Sequence, residues 1–323
     1  MGARAGSSAS RVWQAEDAFC HQALFYEGEA GFLDVTLPFI RDAVARREPI
    51  LVLVSGQKID SLRAGLFGMG NACGVQFADV AGVGRNPATI IPVWRDFVNR
   101  HASGGRRVRG ISEPIWPGRT PQELLECHLH ESLLNLAFSG PPAWWLVCPY
   151  DTAALDPSVI EEAERTHPVV GTNGLRRRSL RYEGIPTARL DVPLPEPAGA
   201  VSTVSFGDSS LSALRAFVAK AAETAGIDAG RAAELVVAVN EVATNSIRHG
   251  GGMGTLRVWK ERRALVCEVR DRGQIQNLLA GRTLPGEPQT GGYGLWLVNH
   301  ICDLVQVRSS DGEGVVRLHM DVA

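Results

Sequence analysis

The sequence predicts an α/β protein in two unequal parts: a mostly parallel sheet with helices on both faces, then a two-layer α/β sandwich. Three observations predict it. Strand-like and helix-like apolar patterns alternate up to about residue 185. Beyond about residue 200, two amphipathic helices are followed by two hairpin patterns. Between them lies PTARLDVPLPEPAG (186–199), with four prolines and little that could form a core. Proline restricts itself and the residue before it, so this stretch reads as an extended, semi-rigid linker. The expected organisation is a flexible tail (1–16), a first domain (17–185), the linker (186–199) and a second domain (200–323).

In the first part, 29–46 has the apolar spacing of a helix, with Phe32, Leu33, Val35, Phe39, Ile40 and Val44 near a 3.6-residue period. ILVLV (50–54) is continuously apolar, as suits a strand covered on both faces. A helix over 57–67, a strand over 75–80, a helix over 87–101 and a strand over 107–111 follow. The helix over 121–138 has Thr120 to cap it and Pro121 at its first position. WWLVCPY (144–150) reads as a strand, and 156–166 as a helix capped by Asp156. In the second part, 201–206 reads as a strand. Helices over 209–225 and 229–249 start after Asp208 and Asp228. Hairpins are expected at 254–260 with 264–270, and at 305–309 with 315–320. A Gly/Pro-rich loop (271–291) and a short helix (292–302) lie between them.

Composition excludes several classes. The 323 residues carry 45% hydrophobic and 21% charged side chains, which is an ordinary globular balance. Net charge is -2, and residues 201–323 hold 13 basic and 13 acidic groups against 20 and 22 before them. Neither part has the basic excess expected of a protein that binds a nucleic-acid backbone directly. The six cysteines form no CxxC pair, and several sit in apolar runs as buried thiols. MGARAGSSAS lacks the apolar core of a signal peptide, and no run approaches the length of a membrane span. The expected compartment is a reducing cytoplasm.

Three segments of the second part carry chemistry. In NEVATNSIRHGG (240–251), Glu241 and Asn245 stand one helical turn apart on one face. A carboxylate can take a proton, and an amide oxygen is a hard ligand for Mg²⁺. Asp271-Arg-Gly273 follows a strand: the carboxylate can accept from an exocyclic amine, and glycine lets a flat ring approach. GGYGLWLV (291–298), with Gly292 and Gly294, opens a helix whose N-terminal N–H groups suit phosphates. Taken singly, these read equally well as solvated polar residues, a tight turn and a helix cap.

In this order the three segments resemble the GHKL ATPase superfamily of gyrase, histidine kinase and MutL type, and within it the bacterial anti-sigma factor serine kinases. The resemblance covers about residues 200–323. It implies ATP and Mg²⁺ as cofactors, Glu241 as general base, Asn245 as Mg²⁺ ligand, Asp271 and Gly273 at the adenine, and Gly292 and Gly294 near the phosphates. The loop 275–290 would be the ATP lid, and the residue neutralising the γ-phosphate stays open. The implied function is an anti-sigma factor with ATP-dependent protein-serine kinase activity toward an anti-anti-sigma (STAS-type) antagonist. The partners are then a sigma factor and that antagonist, and a homodimer is expected. The alternatives are an ATP-binding partner-switching sensor without phosphotransfer, and an atypical histidine-kinase-like component. The latter needs a phosphoacceptor hairpin that the linker leaves no room for.

The first part resembles the MEDS sensory domain, from HQALFYEGEAGFLDVTLPFIRDAV (21–44) through ILVLVSG to CPYDTAALDPSVIEEAERTHP, over about 17–170. This implies a RecA/KaiC-like fold and a small-molecule or signal ligand. SGQKIDSL (55–62) lacks the GK[ST] of a P-loop. Four further features carry two readings each. His21, Tyr26 and Glu27 form a polar cluster before a helix. Glu126, His128, His130 and Glu131 sit at helical spacings that suit either a metal or solvated and core positions. Trp94, Trp116, Trp144 and Trp145 suit a ligand pocket or plain core. Arg176–Arg178 with Arg181 suit a solvated tether or a dock for an acidic partner.

Overall fold

A computed structural model of the protein describes residues 19–67, 74–172, 175–184, 190–261, 263–284, 292–310 and 312–322. The expected tail, Cys73 and the later part of the expected lid (285–290) lie outside them. In the first part the chain runs β1 (Cys20–Tyr26), α1 (Gly28–Ala45), β2 (Ile50–Val54), α2 (Gly56–Gly65), β3 (Val75–Asp79), α3 (Val80–Val83) and α4 (Ile90–His101). Then come β4 (Val108–Ser112), α5 (Pro121–Ala137), β5 (Trp144–Asp151), α6 (Pro157–Thr166), β6 (Val169–Thr172) and β7 (Leu175–Arg178). Among the described residues these strands form one sheet in the order β3-β2-β4-β5-β1-β6-β7. All neighbours are parallel except β6 with β7.

The pleat explains how this sheet is covered. Successive side chains point to opposite faces. On β1, Ala23 and Phe25 enter the core under α4, α5 and α6, where Trp94, Leu133, Leu134 and Val159 lie. Tyr26 faces the second core, with Phe32 and Ile40 of α1 and Leu62 of α2. The parallel sheet with helices on both faces is therefore as expected. Thr120 and Glu123 make the reciprocal capping bonds that start α5, at 3.2 and 2.7 Å.

The second part comprises β8 (Ser202–Gly207), α7 (Leu211–Ala225), α8 (Ala229–His249), β9 (Met253–Lys260), β10 (Ala264–Asp271), α9 (Tyr293–Ile301), β11 (Leu304–Ser310) and β12 (Glu313–Asp321). Its strands pair antiparallel in the order β11-β12-β10-β9-β8. Residues from α7, α8 and α9 share one core with inward residues of the sheet, among them Val218, Val239, Val298, Cys267 and Leu318. This is the two-layer sandwich. Asp228 caps α8 through Gly230 N and Arg231 N, as expected. Asp208 does not cap α7: it lies in a short 3-10 turn, and Ser210 takes the cap position without a side-chain bond.

The sheet face away from the helices is tied by charge. Glu268 is fully buried and pairs with Arg257, Arg270 and Arg317 at 2.8, 2.7 and 2.6 Å. Burial alone would raise its pKa. Hydrogen bonds from Arg270 and Arg317 hold the carboxyl below its ordinary value. The linker joins this network, because Glu196 pairs with Arg257 and Arg270 at 2.6 and 2.8 Å. Leu190 and Leu194 are buried, and Leu190 O accepts from Ser309 N at 2.8 Å. The described part of the linker is thus packed, where its composition offers little that could form a core.

Candidate nucleotide site

Helix α8 positions Glu241 and Asn245. Leu235, Val239 and Val242 hold its apolar side in the core, and the two polar residues project half-buried from the adjacent face. A Cβ added at Gly294 would stand 3.0 Å from Glu241 Oε2 and 3.3 Å from Asn245 Nδ2. The first turn of α9 therefore lies directly against both. Gly292 at the α9 N-cap has φ +100° and has no side chain with which to cap the helix.

Asp271 ends β10 and accepts from Gly273 N at 2.6 Å through Oδ1. Glycines surround its carboxylate. A Cβ would come within 2.4 Å of Asp271 Cγ at Gly250, and within 2.8 and 3.0 Å of Oδ1 at Gly273 and Gly314. A cleft of about 480 Å³ opens here, lined by Asn245, His249, Asp271, Gly273, Gly292 and Leu295. Its size suits a small organic ligand. Four of the six residues singled out in the sequence line this cleft. Glu241 and Gly294 meet beside it, against Asn245. Gly250 and Gly314 escaped sequence reading, since the first reads as a helix C-cap and the second as a turn. Gly250 is the C-cap of α8 and also the wall behind Asp271.

One substitution separates fold from site. Alanine is the better helix former by about 1 kcal/mol in a helix interior. Gly294→Ala is expected to leave the thermal midpoint unchanged or higher, while the new methyl pushes Glu241 and Asn245 aside. Calorimetric titration with Mg-ATP should then show at least a tenfold loss of affinity; an unchanged affinity refutes the placement.

The beginning of the expected lid is held by the first domain. Leu278 and Leu279 pack against its core, and Gly281 O accepts from Asn299 Nδ2 at 2.9 Å. Asn299 O in turn accepts from Asn86 Nδ2 at 2.9 Å. Glu126 of α5 is fully buried between Arg308 and Arg282, at 2.7 and 3.4 Å, with Gln306 Nε2 at 3.4 Å. Arg85 adds a pair with Asp303 at 2.9 Å and another with Asp321. Burial lowers the pKa of Arg282, and Glu126 opposes that shift.

Comparison with known families agrees with this geometry. Residues 20–168 match the MEDS family, described as the MEthanogen/methylotroph, DcmR Sensory domain, and residues 205–320 match the histidine kinase-like ATPase domain. The chain is a MEDS domain joined to a GHKL-type ATPase domain. No curated protein matches it. Among solved structures, Acinetobacter baumannii histidine kinase AdeS is similar at 8% identity, over 38% of this chain and 68% of its own, with a TM-score of 0.23. No helix among the described residues is long and apolar enough to cross a membrane.

The remaining sequence features fall as follows. In the MEDS domain, Tyr26 donates to Glu113 at 2.7 Å, and Lys58 pairs with Glu113 at 2.5 Å. His21 lies on the other face of β1, where burial with His167 beside it pushes the imidazole down to about 4. On α5, Glu126 serves the domain contact and Glu131 points to His21 at 3.0 Å. Neither ring nitrogen of the buried His130 has a hydrogen-bond partner among the described residues. Trp94 and Trp144 pack together in one core, with centroids 5.4 Å apart, and Trp145 packs on Phe39 across the sheet. Trp116 packs against the core that holds Trp94 and Trp144, beneath Arg119, so these indoles serve core packing. The basic run 176–178 is edge strand β7 rather than a tether. Arg177 pairs with Glu164 at 3.0 Å, and Arg176 lies over Trp145. The described cysteines are all buried and free.

Proposed function

We propose that this protein is an anti-sigma factor with ATP-dependent protein-serine kinase activity toward an anti-anti-sigma antagonist of STAS type, regulated by its MEDS domain. The observation that carries this reading is the contact of Glu241 and Asn245 with Gly294, which sets a carboxylate and an amide beside the N-terminus of α9. The cleft fits ATP with Mg²⁺, since its glycines leave the space around Asp271 that side chains would fill. Asp271 would accept from the adenine amino group, with Gly273 beside the ring. Asn245 would hold Mg²⁺, and Gly292 and Gly294 would border the phosphates. Bound Mg-ATP supplies the transferable γ-phosphoryl group. Glu241 takes the proton of the incoming serine hydroxyl, and the N-terminal end of α9 stabilises negative charge.

Serine is favoured over histidine as acceptor by what precedes the ATPase domain. Residues 190–201 lead into β8 without a helix, so no phosphoacceptor hairpin stands directly before it among the described residues. Control by the MEDS domain is supported by its hold on Leu278, Leu279 and Arg282 at the start of the lid. The domain's small-molecule ligand, the sigma factor and a homodimer complete the proposed scheme.

The test uses full-length protein with radiolabelled ATP, Mg²⁺ and a candidate antagonist. Acid-stable label on an antagonist serine is the expected result. Tight ATP binding without transfer would instead mean a partner switch that does not phosphorylate. Acid-labile label on the protein itself would mean a histidine-kinase-like component.

A further inference from the structure

Four donors from four elements of the MEDS domain converge away from the nucleotide cleft. They are His21 of β1, Glu131 of α5, Cys148 of β5 and His167, just past α6. All four residues are buried, and their ligand atoms lie within 4.8 Å of one another. His21 Nε2 and His167 Nε2 stand 3.0 and 3.3 Å from Glu131 Oε2. Cys148 Sγ stands 3.4 Å from His21 Nε2 and 3.6 Å from Glu131 Oε2. Donors around a tetrahedral zinc ion, at bond lengths of about 2.0–2.3 Å, stand roughly 3.3–3.8 Å apart. The cluster has the dimensions of such a shell.

The outer hydrogen bonds decide what the imidazoles present. His167 Nδ1 lies 2.8 Å from Ala163 O. A carbonyl only accepts, so Nδ1 carries a proton, and in the neutral ring Nε2 is a bare lone pair. Asn135 Nδ2 donates to Thr166 O at 2.8 Å, which orients its amide so that Oδ1 accepts from His21 Nδ1 at 3.2 Å. His21 Nε2 is then bare as well. Two lone pairs thus face one carboxylate oxygen in a site without water access. Glu131 Oε1 makes no hydrogen bond among the described residues. Of these groups the Cys148 thiol is placed to donate to Glu131 Oε2, and the remaining acceptors repel unless a proton or a metal cation lies between them. Imidazoles fixed through Nδ1 to a carbonyl or amide, with Nε2 turned inward, are the usual supports of a bound metal.

We propose that His21, Glu131, Cys148 and His167 bind a divalent first-row transition metal, with zinc the best match to the mixed nitrogen, oxygen and sulfur donors. Binding releases the Cys148 thiol proton to solvent and joins β1, β5, α5 and the end of α6 through one ion. Helix α5 also carries Glu126, the residue that holds Arg282 and Arg308.

The test uses tag-free, reduced, full-length protein expressed with added zinc. One equivalent of metal by elemental analysis is expected, with X-ray absorption showing one sulfur and three lighter donors. The stripped protein reloaded with Co²⁺ should show a sulfur-to-cobalt charge-transfer band. Cys148→Ala should abolish that band, and Cys267→Ala, in the other domain, should keep it. His21→Gln and His167→Gln should each lower metal content at least tenfold. The proposal is overturned by wild-type protein that retains no metal and gains no thermal midpoint from added Zn²⁺. A metal shell without sulfur, or a cobalt band that survives Cys148→Ala, overturns it too.

Discussion

Glu241→Gln should slow phosphotransfer by orders of magnitude while leaving Mg-ATP bound. The exchange keeps the size of the side chain and its place against Gly294, but it removes the group that can take a proton. General-base assistance contributes about 10²–10⁴-fold to rate, so single-turnover transfer should fall by that factor. Affinity should change by less than threefold, because Asn245, Asp271, Gly273 and Gly292, which line the cleft, are untouched. Asp271→Asn makes the contrast. It exchanges an acceptor for a group that is half donor, so affinity should fall before any rate is measured. Rapid-quench kinetics beside calorimetric titration reads both. Equal losses of affinity and rate in Glu241→Gln would show that this carboxylate holds the nucleotide rather than the serine proton.

These two residues also mark how much of the site was legible in the sequence. Glu241 and Asn245 could be paired because a helix repeats every 3.6 residues, a purely local rule. The same rule, with caps such as Thr120 and Asp228, located most helices. What stayed hidden depends on contacts distant in sequence. Strand β1 is hidden because His21 and Gln22 interrupt an apolar run; His21 is buried against partners more than a hundred residues away, Glu131 and Asn135. The arginines of strand β7 suit a solvated tether or a dock for an acidic partner in the sequence; their strand's pairing with β6 and their contacts to Glu164 and Trp145 appear only in the fold. Glu126 looked like one of four polar residues at helical spacings, and nothing local distinguishes a carboxylate bound for solvent from one bound for two arginines of another domain.

That carboxylate carries the second large effect. Glu126 faces Arg308 Nη2 at 2.7 Å and Arg282 Nη2 at 3.4 Å, with all three side chains almost wholly buried. A surface pair of this kind would be worth at most about 1 kcal/mol. Here, removing one partner leaves two guanidinium groups without a counter-charge in a site water does not reach, and breaking a buried pair typically destabilises by about 3–5 kcal/mol. Glu126→Gln should therefore lower stability by that order, read as a fall in the urea midpoint of the full chain. Because Arg282 lies within the expected lid (275–290), nucleotide affinity should shift along with it, whereas Thr120→Ala, which weakens the same helix by about 1 kcal/mol at its cap, should leave affinity alone. The triple replacement Glu126→Leu, Arg282→Met and Arg308→Met separates charge from packing. Buried ion pairs exchanged whole for apolar side chains are often neutral or better. The triple variant should thus recover most of the stability lost in Glu126→Gln. If it also restores nucleotide affinity, packing of Leu278 and Leu279 is enough to hold the lid. If stability returns and affinity does not, the arginine–glutamate contact itself is what links the MEDS domain to the cleft.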